Sequence, residues 1–326
     1  MTAGTALDRA LLAFAVPRRK IGLGIVRTGL AAVIAGLYVQ NIPWHALLWG
    51  PNGMIPMKHY GQTMLASHGA NLYYLSAQTW WFELVFWTGL TVTLAYAVGV
   101  LPVLTGPLCF AFTWSLLTRN NFVQDAGWNL TRILLIYLFF ADTSAFALAS
   151  GRIEALAKRV PVLLKQMRGV LHNSALGLIL FQLCLLYATS VFYKVTGHKW
   201  QDGTALYYVL RSNQFDLSAL GGLIWSSAFL VAAGTYGTLL FQAAYPFWIW
   251  QKPFRYVVAA GAVFFHLSIL WTMALPFFSA IMIVSEAVLF TDDEYRRAWA
   301  WLRSRLPVQA ALPADEPVAA TVASGG

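Results

Sequence analysis

The sequence predicts an all-α integral membrane protein: a polytopic bundle of about eight transmembrane helices with both termini in the cytoplasm. Three observations lead there. Apolar residues make up 59% of the 326-residue chain and charged residues 11%, where soluble domains carry roughly 25% charged residues. Many apolar runs approach the roughly 20 residues that a helix needs to cross a bilayer. Backbone groups in lipid must be satisfied within their own segment, and the alternation of barrel strands is absent, so the spans are helices. Third, basic residues collect in alternate loops, as the positive-inside rule requires.

Residues 1–21 read as a cytoplasmic segment. Arg18-Arg19-Lys20 leads into a first span at 22–40 without a small-x-small cleavage pattern, so that span is expected to be retained. Further spans are expected at 80–101, 103–118, 128–149, 172–193, 220–248, 256–274 and 276–291. The third and eighth are short, the second runs almost directly into the third, and the stretch 206–250 has room for an extra half-helix, so the count spans seven to nine. With the N-terminus inside, the cytoplasmic side collects Arg9, Arg18, Arg19 and Lys20, then Arg152, Lys158, Arg159, Lys165 and Arg168, then Lys252 and Arg255, and last Arg296, Arg297, Arg303 and Arg305. The other side holds only Lys58, Arg119, Lys194, Lys199 and Arg211. Segment 152–168 interleaves basic and apolar residues and reads as an amphipathic helix on the inner leaflet. Residues 292–326 form a cytoplasmic tail, expected to be disordered from about 307, where Ala, Pro, Val and Gly dominate.

This topology accounts for the net charge of +9, so nucleic acid is not an expected partner; the lipid bilayer is, and the plasma membrane is the expected location. Cys109 and Cys184 each lie inside an apolar segment with no CxxC pair, and read as buried thiols.

Three polar loops face outward on this map: 41–79, 119–127 and 194–218. Lys194 ends the apolar run 175–193 at their level, followed closely by Gly197, His198, Trp200 and Gly203. Two readings of Lys194 stand. It is a snorkelling anchor whose ammonium reaches the headgroups, or a desolvated amine able to take a proton. Trp200 either caps a pocket or sits in the aromatic belt. His266 lies mid-span between aromatic neighbours, either as a neutral hydrogen-bonding group or as a functional one. Arg27, Glu83, Arg132, Asp142 and Glu286 lie in or at the ends of spans, as interhelical partners or members of a proton relay. His45, His59 and His68 of the first loop fit no metal-ligand spacing, and neither HExxH nor paired cysteines occur, so no metal is expected.

Four stretches then carry a resemblance: Y-K-V-T-G-H-K-W-Q-D-G-T-A-L-Y-Y-V-L at 193–210, R-T-G-L at Arg27, L-W-G-P-N-G-M-I-P at 48–56, and F-F-H with F-F-S-A-I-M-I within 264–283. Together these are similar to the horizontally transferred transmembrane (HTTM) family, which is related to the membrane part of vitamin K-dependent γ-carboxylase and includes the B-type membrane protein of the sporulation-delaying peptide system. The resemblance covers roughly 22–290, so that 22–291 would form an HTTM-like domain. It implies a membrane enzyme that uses a reduced lipid quinone of menaquinol or vitamin K hydroquinone type, with O2 and CO2, to carboxylate glutamate in a secreted peptide. Lys194 falls where the family's lysine deprotonates the hydroquinone. His266 would assist, and Tyr193, Gly197, His198, Trp200, Gly203, Trp49, Arg27, Asn129 and Arg132 would line the quinol pocket. Two departures are visible: 326 residues leave no room for the animal enzyme's lumenal recognition domain, and Leu130 follows Asn129 where that enzyme has a histidine. A non-enzymatic alternative is a membrane component for maturation or export of an antimicrobial peptide, with a small accessory protein on the basic inner face. A transporter fits less well, because paired broken helices in two repeats are not found.

Overall fold

The computed structural model describes residues 9, 12–58, 70–148, 160–212, 214–215 and 219–305. No strand occurs among them. The helices are α1 (Lys20–Gln40), α2 (His45–Trp49), α3 (Thr79–Ala97), α4 (Pro102–Arg119), α5 (Ala126–Leu138), α6 (Val162–Val195), α7 (His198–Gln201), α8 (Ala205–Leu210), α9 (Ala219–Trp225), α10 (Ala228–Trp248), α11 (Lys252–Met273), α12 (Pro276–Ser285) and α13 (Asp292–Arg305). Four of them, α1, α6, α10 and α11, are long and apolar enough to cross a membrane. The chain therefore has the helices of a membrane protein. The other apolar helices are shorter or richer in Trp, Tyr, Thr and Pro, and α4 carries Pro107 inside it.

Polar side chains fix the ends of the bundle. At one end, here the basic end, Asp292 accepts from the N–H groups of Lys20 and Ile21 at 3.2 and 2.8 Å. That supplies α1 with the acceptor its orphan N-terminal donors need. Arg19 donates to the Val288 carbonyl at 2.7 Å. His172, buried on α6, accepts from the Asp142 N–H at Nδ1 (2.8 Å) and donates from Nε2 to the Arg18 carbonyl (2.7 Å). Both ring nitrogens are used, which assigns the neutral Nε2–H tautomer. Asn173 beside it accepts from the Arg18 N–H and donates to the carbonyls of Phe14 and Val16. The segment ahead of α1 is thereby laid against α6 so closely that a Cβ at Gly169 would lie 1.7 Å from the Ala15 carbonyl oxygen. Only glycine admits that approach. At the opposite end, the loop end, the buried Arg119 donates to the carbonyls of Gly50 and Ile55 at 2.8 and 2.7 Å, and Asn120 to Leu48 at 2.9 Å. The 48–56 stretch is held onto the end of α4 by these bonds.

Between the ends, α1 packs along α3, α3 along α4, α6 along α10, and α12 against α1, α5 and α11. Leu30, Ile34, Phe86, Leu116, Leu134, Ile179, Leu183 and Met282 fill the centre with no exposed surface. Cys109 and Cys184 are both free thiols.

The structure differs from the sequence map at three places. The apolar run 128–149 is not one helix: α5 ends at Leu138, and Asp142 turns the chain by accepting from the Ser144 N–H and pairing with Lys20 at 2.6 Å. The run 220–248 is two helices, broken at Ser226 and Ser227, where Ser227 caps α10 by accepting from the Leu230 N–H. Together with α8, this break supplies the short helices for which 206–250 had room. Residues 162–168 are the opening turns of the 34-residue α6, continuous with it. The rest of the expected amphipathic segment, 152–159, lies outside the described residues, as do His59, His68 and the tail from 306. The unit beginning at Asp293 is described by itself: Arg296 pairs with Asp293 at 2.9 Å, and Arg303 and Arg305 stack on Trp299 and Trp301.

Candidate functional site

The first cluster is local in sequence. Lys194 stands half-buried in the last turn of α6. Its amine donates to Ser190 Oγ at 2.6 Å and lies 5.4 Å from the centre of the Trp200 ring. No carboxylate pairs with it among the described residues. The turn behind it is built for this placement. The Gly197 N–H donates to the Lys194 carbonyl, α7 carries Trp200 back over the lysine, and Gly203 takes φ +77° beneath the Tyr236 ring. Tyr236 fastens the turn to α10 by donating to the Gln201 carbonyl at 2.9 Å. Outside the apolar part, the Tyr208 hydroxyl beside Lys199 raises that ammonium above its usual value, and Thr204 lowers the Asp202 carboxyl by donating to it. His198 is exposed and Tyr193 is 75% exposed, so both face away from the bundle.

The second cluster joins residues far apart in the chain. His266 of α11 is buried, and its Nε2 lies 2.9 Å from the Tyr187 hydroxyl of α6. Tyr187 donates to Glu286 Oε1 at 3.3 Å, and Tyr245 of α10 donates to Glu286 Oε2 at 2.6 Å. The two phenol rings lie 3.9 Å apart, centre to centre. With Tyr187 donating to Glu286, the Nε2–H tautomer of His266 is the one that completes the chain by donating to the Tyr187 hydroxyl. His266 Nδ1, which has no partner, is then a bare acceptor and not an orphaned N–H, the cheaper of the two outcomes. Every donor in the chain thus runs toward the Glu286 carboxyl group, which pairs with no cation among the described residues.

The two clusters share one face of α6. Tyr187, Ser190 and Lys194 are spaced three and four residues apart, so their side chains follow one stripe. Lys194 stands two turns, about 10 Å, beyond Tyr187. A cavity of about 460 Å³ lies between α8, α9, α10 and α11, and neither Lys194 nor any other residue of α6 is in its lining. Its walls are apolar, Gly234 and Gly237 leave room on the α10 side, and Phe241 and Phe265 belong to its lining. Those two rings pack on Tyr187 and His266, at 5.5 and 5.1 Å. A second groove, of about 470 Å³ between α1, α11 and α12, has Glu286 in its lining.

The remaining residues of the expected pocket lie elsewhere. Trp49 is buried against Phe86 in the α2–α3 packing. Arg27 is fully buried near the basic end, donating to Thr28 and to the Phe146 carbonyl. Arg132 stacks on Trp114 of α4 at 5.3 Å, and Asn129 is exposed on α5. None of these contacts reaches Lys194 or His266. Glu83 pairs with His45 at 3.1 Å and accepts from Trp87. No group of three metal-ligating side chains occurs among the described residues. Sequence reasoning singled out His266 and Glu286 but passed over Tyr187 and Tyr245. Tyrosines inside apolar runs carry a weak signal, a hydroxyl that needs a partner once buried.

No protein family, curated protein or solved structure matches the chain.

Proposed function

We propose that the chain is an eight-span plasma-membrane protein with cytoplasmic termini, and an HTTM-type relative of γ-carboxylase that acts on a reduced lipid quinone at its outer face. The reading is carried by one observation: the Lys194 amine is half-buried without a carboxylate partner among the described residues and shares a stripe of α6 with the Tyr187–Glu286–His266 chain. An amine in such a place is the group whose neutral form partial desolvation favours.

The residues present fit a lipid quinone. The 460 Å³ cavity falls within the roughly 300–1,000 Å³ of small-molecule sites, and its lining is apolar, as an isoprenoid chain requires. Phe241, Phe264 and Phe265 would hold the ring and chain. When bound, a reduced quinone would be oxidised by O2 to its epoxide with release of water, four electrons in all, and that oxidation would drive replacement of a glutamate γ-proton by CO2. Lys194 takes a proton at Nζ, and the Trp200 face steadies the ammonium that results. Ser190 fixes the amine's position by accepting one of its hydrogens. Tyr187 and Glu286 hold His266 in one tautomer. A secreted peptide would approach from the three loops on this side.

One observation favours a second reading. Phe192 and Tyr193, beside Lys194, are 65% and 75% exposed, as residues of an interfacial belt would be. The lysine is then an anchor, and the chain a non-enzymatic component for maturation or export of a peptide, with an accessory protein on its basic face.

Quinol-dependent O2 consumption with epoxide detection separates the readings, on purified protein in lipid. Wild type is expected to form epoxide, and Lys194→Ala and Lys194→Arg to form none, because arginine stays protonated. Full activity in Lys194→Arg removes the base role. No epoxide from folded wild type across several quinols favours the anchor, and charge reversal of 152–168 should then abolish partner binding.

A further inference from the structure

The helix α13 is amphipathic, and nothing in the proposed reaction uses it. From Tyr295 to Arg305 it holds Arg296, Arg297, Arg303 and Arg305 and no carboxylate. Tyr295, Ala298, Trp299 and Leu302 recur at i, i+3, i+4 and i+7, the spacing of one apolar stripe. Trp299 and Leu302 are 54% and 42% exposed, and no residue of α13 is buried. Arg303 and Arg305 fall on opposite edges of that stripe. Their guanidinium groups stack on Trp299 and Trp301 at 5.1 and 5.4 Å, and no carboxylate pairs with either among the described residues.

The start of the helix is fixed in place. Asp292, its first residue, accepts from the Lys20 and Ile21 N–H groups in the first turn of α1. The 21 residues of α1 make about 31 Å of helix, which matches the roughly 30 Å of hydrocarbon in a bilayer. Where α1 crosses the membrane, both of its ends therefore stand at a lipid–water boundary, and α13 begins at one of them.

We propose that α13 lies in the headgroup layer of an anionic membrane, with Trp299 and Leu302 in the acyl boundary and Arg303 and Arg305 on lipid phosphates, an inference that rests on the membrane reading above and not on the quinol chemistry. An indole joins an apolar ring to one donor and so favours that boundary. A guanidinium takes phosphate through paired N–H groups. An apolar stripe edged by cations is the pattern of a helix lying in the plane of the surface. A protein partner would have to supply a carboxylate at each edge of the stripe, whereas a headgroup layer supplies anions on both sides of it.

The test measures amide exchange by mass spectrometry on the full chain in two nanodiscs, one of phosphatidylcholine and one of phosphatidylcholine and phosphatidylglycerol in equal parts. A 14-residue helix is marginal in water, so exchange at 296–305 reports whether a surface holds it. Exchange there should be at least tenfold slower with phosphatidylglycerol. Trp299→Ser with Leu302→Ser should return it to the phosphatidylcholine rate, as should Arg303→Gln with Arg305→Gln. Ala300→Ser, away from the stripe, should change nothing. All five positions are exposed, and an unchanged unfolding temperature checks that the bundle is intact. Equal exchange in the two nanodiscs would overturn the proposal, as would slow exchange that survives both double substitutions. Slow exchange already present in neutral detergent would reassign α13 to a protein contact. Protection of α1, α6, α10 and α11 in both nanodiscs tells the two failures apart. With it, fast exchange at 296–305 removes only this proposal; a chain that does not enter the nanodiscs removes the membrane reading as well.

Discussion

The Tyr245 hydroxyl meets the Glu286 carboxyl at 2.6 Å in a part of the bundle closed to solvent, with Tyr187 on the other carboxyl oxygen. An intramolecular hydrogen bond contributes about 0.5–1.5 kcal/mol net and one to a charged group about 1.5–3, so Tyr245→Phe should lower stability by about 0.5–3 kcal/mol. Glu286→Leu removes the acceptor of two hydroxyls at once and should cost more. The double variant should cost less than the two added together, because the residues form one network. Thermal unfolding of the four proteins in one detergent measures the coupling; strict additivity would show that the pair contributes nothing jointly.

Gly237 faces open space in the 460 Å³ cavity: a Cβ built there meets nothing within 4 Å. Gly237→Leu should therefore fill the cavity while changing stability by only about 0.5 kcal/mol. If the cavity takes the quinol, quinol-dependent turnover should fall at least tenfold with the fold intact. A filled cavity with unchanged KM and kcat would place the quinol elsewhere. Gly234 provides the contrast, because its Cβ would meet Leu206 Cδ2 at 2.5 Å, and Gly234→Ala should lower stability instead.

His172→Leu would leave the Asp142 N–H and the Arg18 carbonyl without their partners. A fully buried orphaned group costs about 1–3 kcal/mol; these two are part-buried, so each should cost less than that. The damage should be local. Amide exchange should accelerate at 14–18 and 142–144, while the contacts of Arg119 at the loop end stay protected. Uniform acceleration across the bundle would mean that the basic end is not a separate opening unit.

Asp125 caps α5 by accepting from the Gly127 N–H at 2.8 Å, yet burial raises its carboxyl above the usual value against the opposing effect of the backbone donors. A folded-state value above the unfolded one means that ionisation disfavours folding. The wild type keeps this stability below the unfolded carboxyl value, and loses it as pH rises through the folded one. Asn is an equally good cap, so Asp125→Asn should be more stable than wild type at pH 7 and lose that advantage at low pH. Asp125→Ala should be less stable than Asp125→Asn by about 1 kcal/mol at every pH, through loss of the cap. Unfolding midpoints of the three proteins between pH 3 and 8 check the sign.

The legible and illegible parts of the site divide by distance along the chain. The turn around Lys194 was visible because its parts, Gly197, Trp200 and Gly203, fall within a few residues of one another, where a glycine or an aromatic has one local meaning; Ser190, its hydrogen-bond partner, was not. His266 was visible only as an ionisable group in an apolar run. Its partners Tyr187 and Glu286 belong to a chain whose links bridge 79 and 99 residues, and nothing near Tyr187 announces them. The pocket drawn around Arg27, Trp49, Asn129 and Arg132 failed to gather for the same reason. Each is held by neighbours of its own, Phe146, Phe86 and Trp114 among them.

By itself the sequence determined that this is a helical protein with runs apolar enough to cross a membrane, four of which are long helices, and that Lys194 ends one of them among glycines and a tryptophan. Those features follow from the free energy of moving each residue from water to lipid, which is local and adds along a run. Only the tertiary structure decided that the run 128–149 stops at Leu138, that Ser227 starts a new helix, and that Tyr187, Tyr245, His266 and Glu286 share one hydrogen-bonded chain. Such outcomes depend on which helix lies beside which. A buried polar group is satisfied by whatever side chain packing brings to it, and packing is a property of the whole bundle.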